Sequence, residues 1–194
     1  MTPVTLTGRF VTLVPLTAGH RDGLQQAAAD GELWKLFFTM VPRPDDMPAW
    51  MESALSLQQK NEALIFTVFE NFSGKIVGTS RYCNLDPQNQ RLEIGHTWYA
   101  RRVQRTAVNT ECKLLLLGHA FQQLKCIAVE FRTDFLNHRS QRAIERLGAR
   151  RDGILRNHKI MPNGRIRDSV VYSILNSEWE GVKQNLTFHL ERPC

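Results

Sequence analysis

Cysteine is scarce in this sequence and badly spaced for chemistry. Of 194 residues four are cysteine, Cys83, Cys112, Cys126 and Cys194, with no Cys-x-x-Cys pair. That spacing excludes a zinc ribbon or a dithiol redox motif, and no metal is expected. Cys112 and Cys126 fall within apolar periods and read as small buried hydrophobes. Long apolar runs are missing as well: none approaches the ~18 residues of a spanning helix. The first 19 residues lack the basic-then-apolar layout of a secretory signal. The expectation is a cytoplasmic protein with no membrane contact. Repeats, low-complexity runs and Pro/Gly/Ser linkers are absent too. One domain is therefore expected over residues 8–176. A helical tail over 177–194 follows, packed on the domain or on a partner subunit, in a monomer or homodimer.

Negative charge is in deficit. The 25 Lys and Arg outnumber the 19 Asp and Glu, for a net charge of +6. Such a balance favours a polyanionic partner: a nucleic acid, an acidic protein or a phosphorylated cofactor. The arginines cluster, with Arg101, Arg102 and Arg105 in one group and Arg139, Arg142, Arg146, Arg150 and Arg151 in another. A solvated face of two helices would look the same, so composition does not choose.

Patterning orders the chain. Residues 9–16 alternate as a strand; residues 18–30 and 46–60 have helical composition, separated by Pro42 and Pro44. Strands are predicted over 64–70, 75–84 and 91–99, joined by short polar turns, which implies an antiparallel meander. Residues 110–124 are apolar on nearly all faces, as in a helix buried between layers. The run 127–131 suits a buried parallel strand. Asn137 caps a helix stopped by Gly148. A hairpin over 154–161 and 165–175 turns at Pro162-Asn163-Gly164, and Ser177 caps a last helix with Trp179, Val182 and Leu186 on one stripe. This is an α/β sheet, antiparallel at first, with one strand–helix–strand crossover near its centre. Ligands of open α/β sheets bind at such a switch point.

The segment at the switch point is Glu93-Ile94-Gly95-His96-Thr97-Trp98-Tyr99, then Arg101-Arg102-Val103-Gln104-Arg105-Thr106-Ala107-Val108-Asn109-Thr110-Glu111. A loop of backbone amides feeding a helix N-terminus, flanked by arginines, suits a pyrophosphate. It suits an ordinary strand-to-helix loop equally well. The residues from Gln104 to Glu111 resemble the acetyl-CoA loop of the GNAT acetyltransferases, in particular the ribosomal-protein N-acetyltransferases, which reads Gln/Arg-x-x-Gly-x-Gly/Ala followed by Thr-Glu-Ala. Ala107 and Asn109 depart from it, and each brings a Cβ into the turn. Three further segments match in order: Leu92 to Trp98, Asn137-His138-Arg139-Ser140 with Arg146-Leu147-Gly148-Ala149, and Arg167 to Ser173.

The resemblance implies a mixed, mostly antiparallel sheet of six to seven strands with helices on both faces. It implies acetyl transfer from acetyl-CoA to a primary amine, by direct transfer in a ternary complex. The acceptor would be a protein or peptide N-terminus or a small-molecule amine. It places the acetyl carbonyl near Thr97 or Trp98, the pyrophosphate along Val103, Arg105, Thr106, Ala107, Val108, Asn109 and Thr110, and the pantetheine arm near Asn137, with Ser140 a turn further on. Glu93 is the candidate base; a two-residue period points its carboxylate where Thr97 points. Ser140 or Tyr172 is the candidate acid for the departing thiolate, and Trp34, Phe37 and Phe38 the acceptor wall. Plainer uses exist: Asn137 as a cap, Ser140 as a first-turn polar group, Glu93 as a cross-strand partner, and Tyr172 and the aromatics as core. Two other readings compete, a non-catalytic acyl-CoA sensor on this fold and a basic nucleic-acid-binding domain.

Overall fold

The computed structural model describes residues 2–191, so Cys194 lies outside it. Eight strands form one sheet: β1 (Leu6–Thr7), β2 (Val11–Pro15), β3 (Leu64–Glu70), β4 (Ile76–Asp86), β5 (Arg91–Tyr99), β6 (Ala128–Asp134), β7 (Arg150–Ile160) and β8 (Ile166–Leu175). Their spatial order is β1-β2-β3-β4-β5-β6-β8-β7, and every neighbouring pair is antiparallel except β5 with β6. The strand beyond the seven that patterning predicts is β1, two residues paired with Thr12 and Leu13 and too short to carry a period.

Among the described residues five α-helices complete the fold: α1 (Arg21–Ala29), α2 (Met47–Gln59), α3 (Ala107–Gly118), α4 (His138–Glu145) and α5 (Trp179–Glu191). Helices α1 and α2 pack against β4 and β3. Helices α3 and α5 pack against each other on the opposite face, where the Phe121 and Trp179 rings lie 5.5 Å apart. The tail stripe is as its spacing predicts: Trp179, Val182 and Leu186 are buried. The core between the layers is aliphatic and aromatic, with Leu13, Phe66, Tyr82, Leu116 and Leu117 fully buried. At ~25 cal/mol per Å² such side chains each stabilise the fold by roughly 1.5–3 kcal/mol.

Two departures from the sequence reading shape the site. Helix α3 begins at Ala107 rather than Thr110, because Thr106 is extended and its hydroxyl accepts from the Val108 amide at 3.3 Å. Ala107 and Asn109 thus sit in the first turn of a helix, where a Cβ causes no crowding. The helix then runs through a π-turn at His119–Gln123. The second departure is a bulge in β5. Arg81 pairs with Gly95 and Thr79 with Trp98, so His96 and Thr97 together oppose Ser80 alone. His96 takes φ +50° to make the extra step.

Candidate active site

The parallel pair at the centre of the sheet is barely a pair. Strands β5 and β6 are in register only over Arg91–Ala128, Leu92–Val129 and Glu93–Glu130. Beyond Glu93 they diverge, β6 continuing on β8 as far as Asp134 and β5 on β4 as far as Tyr99. A cleft of about 850 Å³ opens in the wedge, lined by β5 from Glu93 to Tyr99 and by β6 from Phe131 to Asp134. The edge of β5 that faces it carries no strand, so its backbone groups are free to bond a ligand.

One end of the cleft is built for anions. It is lined by Gln104, Arg105, Thr106 and Asn109 at the start of α3, by Arg139 and Arg142 of α4, and by Arg146 at that helix's C-terminal end. First-turn amides have no partner in their own helix and carry the positive end of its dipole. Arg105 holds φ +65°, turning the chain into that helix. Arg139 donates to Gln104 Oε1 at 2.7 Å, and Arg146 to Thr110 Oγ1 at 3.1 Å, which tie α4 to the loop. Asn137 and Ser140 also line the cleft. Asn137 is at the same time the cap of α4, its Oδ1 accepting from the Ser140 amide at 3.0 Å. These groups fit a pyrophosphate with a polar arm leading into the wedge.

The other end is aromatic and cationic. Phe38, Met40, Val41, Trp50 and Trp98 line it, with His158, Lys159 and Arg167 from the β7–β8 hairpin. The Trp50 and Trp98 rings meet edge to face at 6.4 Å, and the buried Arg81 guanidinium lies 5.8 Å from the Trp50 centroid. Trp34 and Phe37 do not line the cleft; Phe37 instead packs at 5.0 Å on Phe38 and lies 5.3 Å from Arg165.

Glu93 is buried at the apex of the wedge. Asn84 Nδ2 donates to its Oε2 at 2.6 Å and Arg132 stands 3.5 Å away. Burial outweighs these partners and raises its carboxyl above the usual range. The bulge corrects one expectation. Glu93 and Gly95 share a face with Cys83 and Arg81, their register partners, whereas Thr97 follows the extra residue and bonds Ser80 on the other face at 2.7 Å. Glu93 and Thr97 therefore point to opposite sides of the sheet.

Tyr172 is a second correction. It is 1% exposed and absent from the cleft, its hydroxyl donating to Glu145 Oε1 at 2.9 Å. Burial and that carboxylate push the phenol up to about 12, leaving a core tyrosine that holds α4 to the sheet. Val103, Ala107, Val108 and Thr110 stand behind the cleft rather than in its wall. Val103, Val108 and Thr110 are buried; Ala107 is half-buried and belongs to the first turn of α3.

Three cleft residues lie outside the site that the sequence predicts, His96 among them because alternation makes it a structural residue facing away from Glu93. His96 is reached by solvent through the cleft, yet burial of its ring and the cations Arg81, Lys159 and Arg167 hold its imidazole well below the usual range, so it is neutral at pH 7. Only the left-handed φ at the bulge brings it there, and no residue pattern signals that. His158 lines the wall with Nδ1 at 2.9 Å from Ser169 Oγ. Lys113 lies inside the apolar run of α3, where a lone lysine is itself the signal. Among the described residues no group of three or more His, Cys, Asp or Glu side chains could hold a metal.

Comparison with known proteins supports the same assignment. Residues 11–150 match the family model described as "Acetyltransferase (GNAT) domain". The chain is 29% identical over 154 residues to a provisionally named ribosomal N-acetyltransferase, YdaF of Bacillus subtilis, covering 76% of this chain and 80% of that protein. A GCN5-related N-acetyltransferase from Brucella melitensis superposes with a TM-score of 0.87 at 31% identity, over 98% of this chain and 86% of its own. RimJ of Mycobacterium smegmatis, in complex with CoA-disulfide, shares the fold at a TM-score of 0.81 and 17% identity, over 96% and 95%. With the family model spanning most of the chain and a relative of 31% identity superposing over nearly all of it, the chain belongs to the GNAT family of N-acetyltransferases.

Proposed function

We propose that the protein transfers the acetyl group of acetyl-CoA directly to an amine, both substrates being bound together. The acceptor is a protein or peptide α-amine, or a small neutral-to-anionic amine. The observation that carries this reading is the wedge between β5 and β6, which joins an anion-binding helix start to an aromatic, cationic mouth in one cleft. Acetyl-CoA, when bound, supplies an activated acyl carbon; the protein's work is to position, polarise and move protons.

The amides from Arg105 to Thr110 hold the pyrophosphate, with Arg105, Arg139, Arg142 and Arg146 adding charge. Asn137 bonds the pantetheine arm. The backbone of β5 at Thr97 or Trp98, where the strand passes the wedge, donates to the acyl oxygen. Glu93 takes the acceptor's proton: it is buried, lines the cleft, and burial raises its carboxyl above the usual carboxylate range, the direction that suits a general base. Ser140 orients the sulfur. Arg81, Arg132, Lys159 and Arg167 stand around Glu93 and His96, which disfavours a polycationic acceptor. An α-amine, with a pKa of ~7.7–8.0, is about a tenth neutral at pH 7 and needs only a modest base.

Names among the relatives point the same way: YdaF carries the name of a ribosomal N-acetyltransferase, and a Vibrio cholerae structure of this fold that of a ribosomal-protein-serine acetyltransferase. The test is mass spectrometry of peptides with free N-termini, incubated with acetyl-CoA in competition with spermidine and kanamycin. Acetylation of peptide α-amines is the expected result, and preferential acetylation of either polycation rejects the acceptor class. Binding of coenzyme A without turnover of any amine would favour the sensor reading instead.

A further inference from the structure

Lys113 is the odd residue of this cleft. Its side chain belongs to α3, is 5% exposed and lines the wedge. Lysine is almost never so buried unless an acid pairs with it, and among the described residues no carboxylate lies within ion-pair distance. Nζ donates to Thr97 Oγ1 at 2.8 Å and reaches Ser80 Oγ at 3.5 Å, with the Phe131 ring centroid 5.8 Å away. The other titratable groups that act on it are the thiols of Cys112 and Cys83. An ammonium has three N–H donors, and only the Thr97 bond is short. An ion withdrawn from water without a counter-charge is costly by several kcal/mol. The chain keeps a cation here and supplies no anion for it.

We propose that Lys113 donates the proton to the sulfur that leaves in acetyl transfer, a role that rests on the acetyl-CoA reading above. In that step the acceptor nitrogen's lone pair forms the C–N bond. The C–S bond breaks with its electron pair on sulfur, and a proton passes from Lys113 Nζ to that sulfur. The products are the amide and the thiol of coenzyme A, with Lys113 left as a neutral amine. The proton lost by the acceptor nitrogen goes to Glu93, and exchange with solvent resets both groups.

The bulge at His96 is what makes the division possible. Glu93 projects to one face of β5, while Thr97 and the ammonium bonded to it lie on the other. Base and acid thus address the wedge from opposite sides and do not neutralise each other. Burial also lowers the Lys113 ammonium to about 8, close to the ~8.5 of an ordinary thiol, so the proton transfer is nearly level in energy. A serine hydroxyl offers no such match, which leaves Ser140 with orientation.

The decisive measurement is the ionisation of coenzyme A's own thiol in its complex with the protein, followed by thiolate ultraviolet absorbance across pH. The wild-type complex is expected to show a thiolate fraction about tenfold above that of free coenzyme A, because a cation faces the sulfur. Lys113→Met is expected to abolish the excess and to lower kcat ~10²–10⁴-fold, as loss of a general acid does, with the KM for acetyl-CoA little changed. A wild-type complex that titrates like free coenzyme A overturns the proposal, as does a Lys113→Met complex that titrates like wild type.

Should that variant not fold, calorimetry on the wild-type protein decides. Coenzyme A and desulfo-coenzyme A must then differ in the protons exchanged on binding, and equality overturns the role. Failure of coenzyme A to bind at all removes the acetyl-CoA reading with it.

Discussion

Glu111 offers the sharpest test of how this fold is held. Its carboxylate is buried on α3 and accepts the backbone N–H of Arg9 at 2.8 Å, of Phe10 at 2.6 Å and of Val11 at 2.8 Å, about a hundred residues away. Glu111→Ala would strand those donors. The Val11 amide is fully buried and loses its partner outright, while those of Arg9 and Phe10 are part-buried and regain some water. One orphaned buried donor and two half-compensated ones cost about 3–5 kcal/mol together. For a chain of this length that corresponds to a fall in Tm of roughly 10–15 °C. Gly8→Ala tests the same contact from the other side, since a Cβ at position 8 would stand 2.4 Å from the Glu111 carboxyl carbon. The assay is urea unfolding of wild type, Glu111→Ala, Glu111→Gln and Gly8→Ala. Glu111→Gln keeps one acceptor oxygen but turns an amide donor on the same amides, so an intermediate loss is expected. A loss under ~1 kcal/mol for Glu111→Ala at unchanged m would refute the reasoning.

Coenzyme A at a hundredfold its Kd should raise apparent stability by about 2.7 kcal/mol, read as a shifted calorimetric melt; an unmoved melt at millimolar ligand counts against the cleft as its site. Arg146→Ala should raise the KM for acetyl-CoA ~10–100-fold, the worth of a charged hydrogen bond, with kcat nearly constant; a fall in kcat alone would place the residue elsewhere. Glu93→Gln should lower kcat/KM ~10²–10⁴-fold and abolish its acidic limb. The same variant should be more stable than wild type at pH 7 and no different below the ordinary carboxylate range. The sign follows because a carboxyl raised by burial favours the fold while protonated, and that contribution is lost as pH rises through its folded-state value. Equal melting of the two proteins at pH 7 would contradict the burial argument.

Most of the scaffold was readable in the sequence because period and punctuation are local. Alternation found β2 and the β3–β5 meander, Asn137 and Gly148 bounded α4, and Pro162-Asn163-Gly164 fixed the last hairpin. The site was less readable, because a single non-glycine residue with positive φ reverses every facing after it. His96 does so in β5, and two-residue counting across it sends Thr97 to the wrong side. Tyr172 misled for a related reason, since facing the interior of a sheet is not facing its cleft. Lys113 and Glu111 were present as polar residues in an apolar helix, but their meaning depends on partners far away in sequence, Thr97 for one and Arg9 to Val11 for the other.

The brevity of the β5–β6 contact has a mechanical consequence. Three register pairs zip β1–β5 to β6–β8, with the Ile127–Gln90 backbone bond and the Arg91–Glu130 and Arg132–Glu93 ion pairs beside them, so the sheet is two rafts joined by a short clasp and by the α3 crossover. Amides of β5 on the open edge lie in the middle of the protein yet should trade their hydrogens for deuterium faster than those of the flanking ladders. A bound pantetheine arm, with its two amide groups, would act there as a missing strand. Slowed exchange along the edge, and a seam that resists prying apart, would then report occupancy directly, without any chemistry taking place.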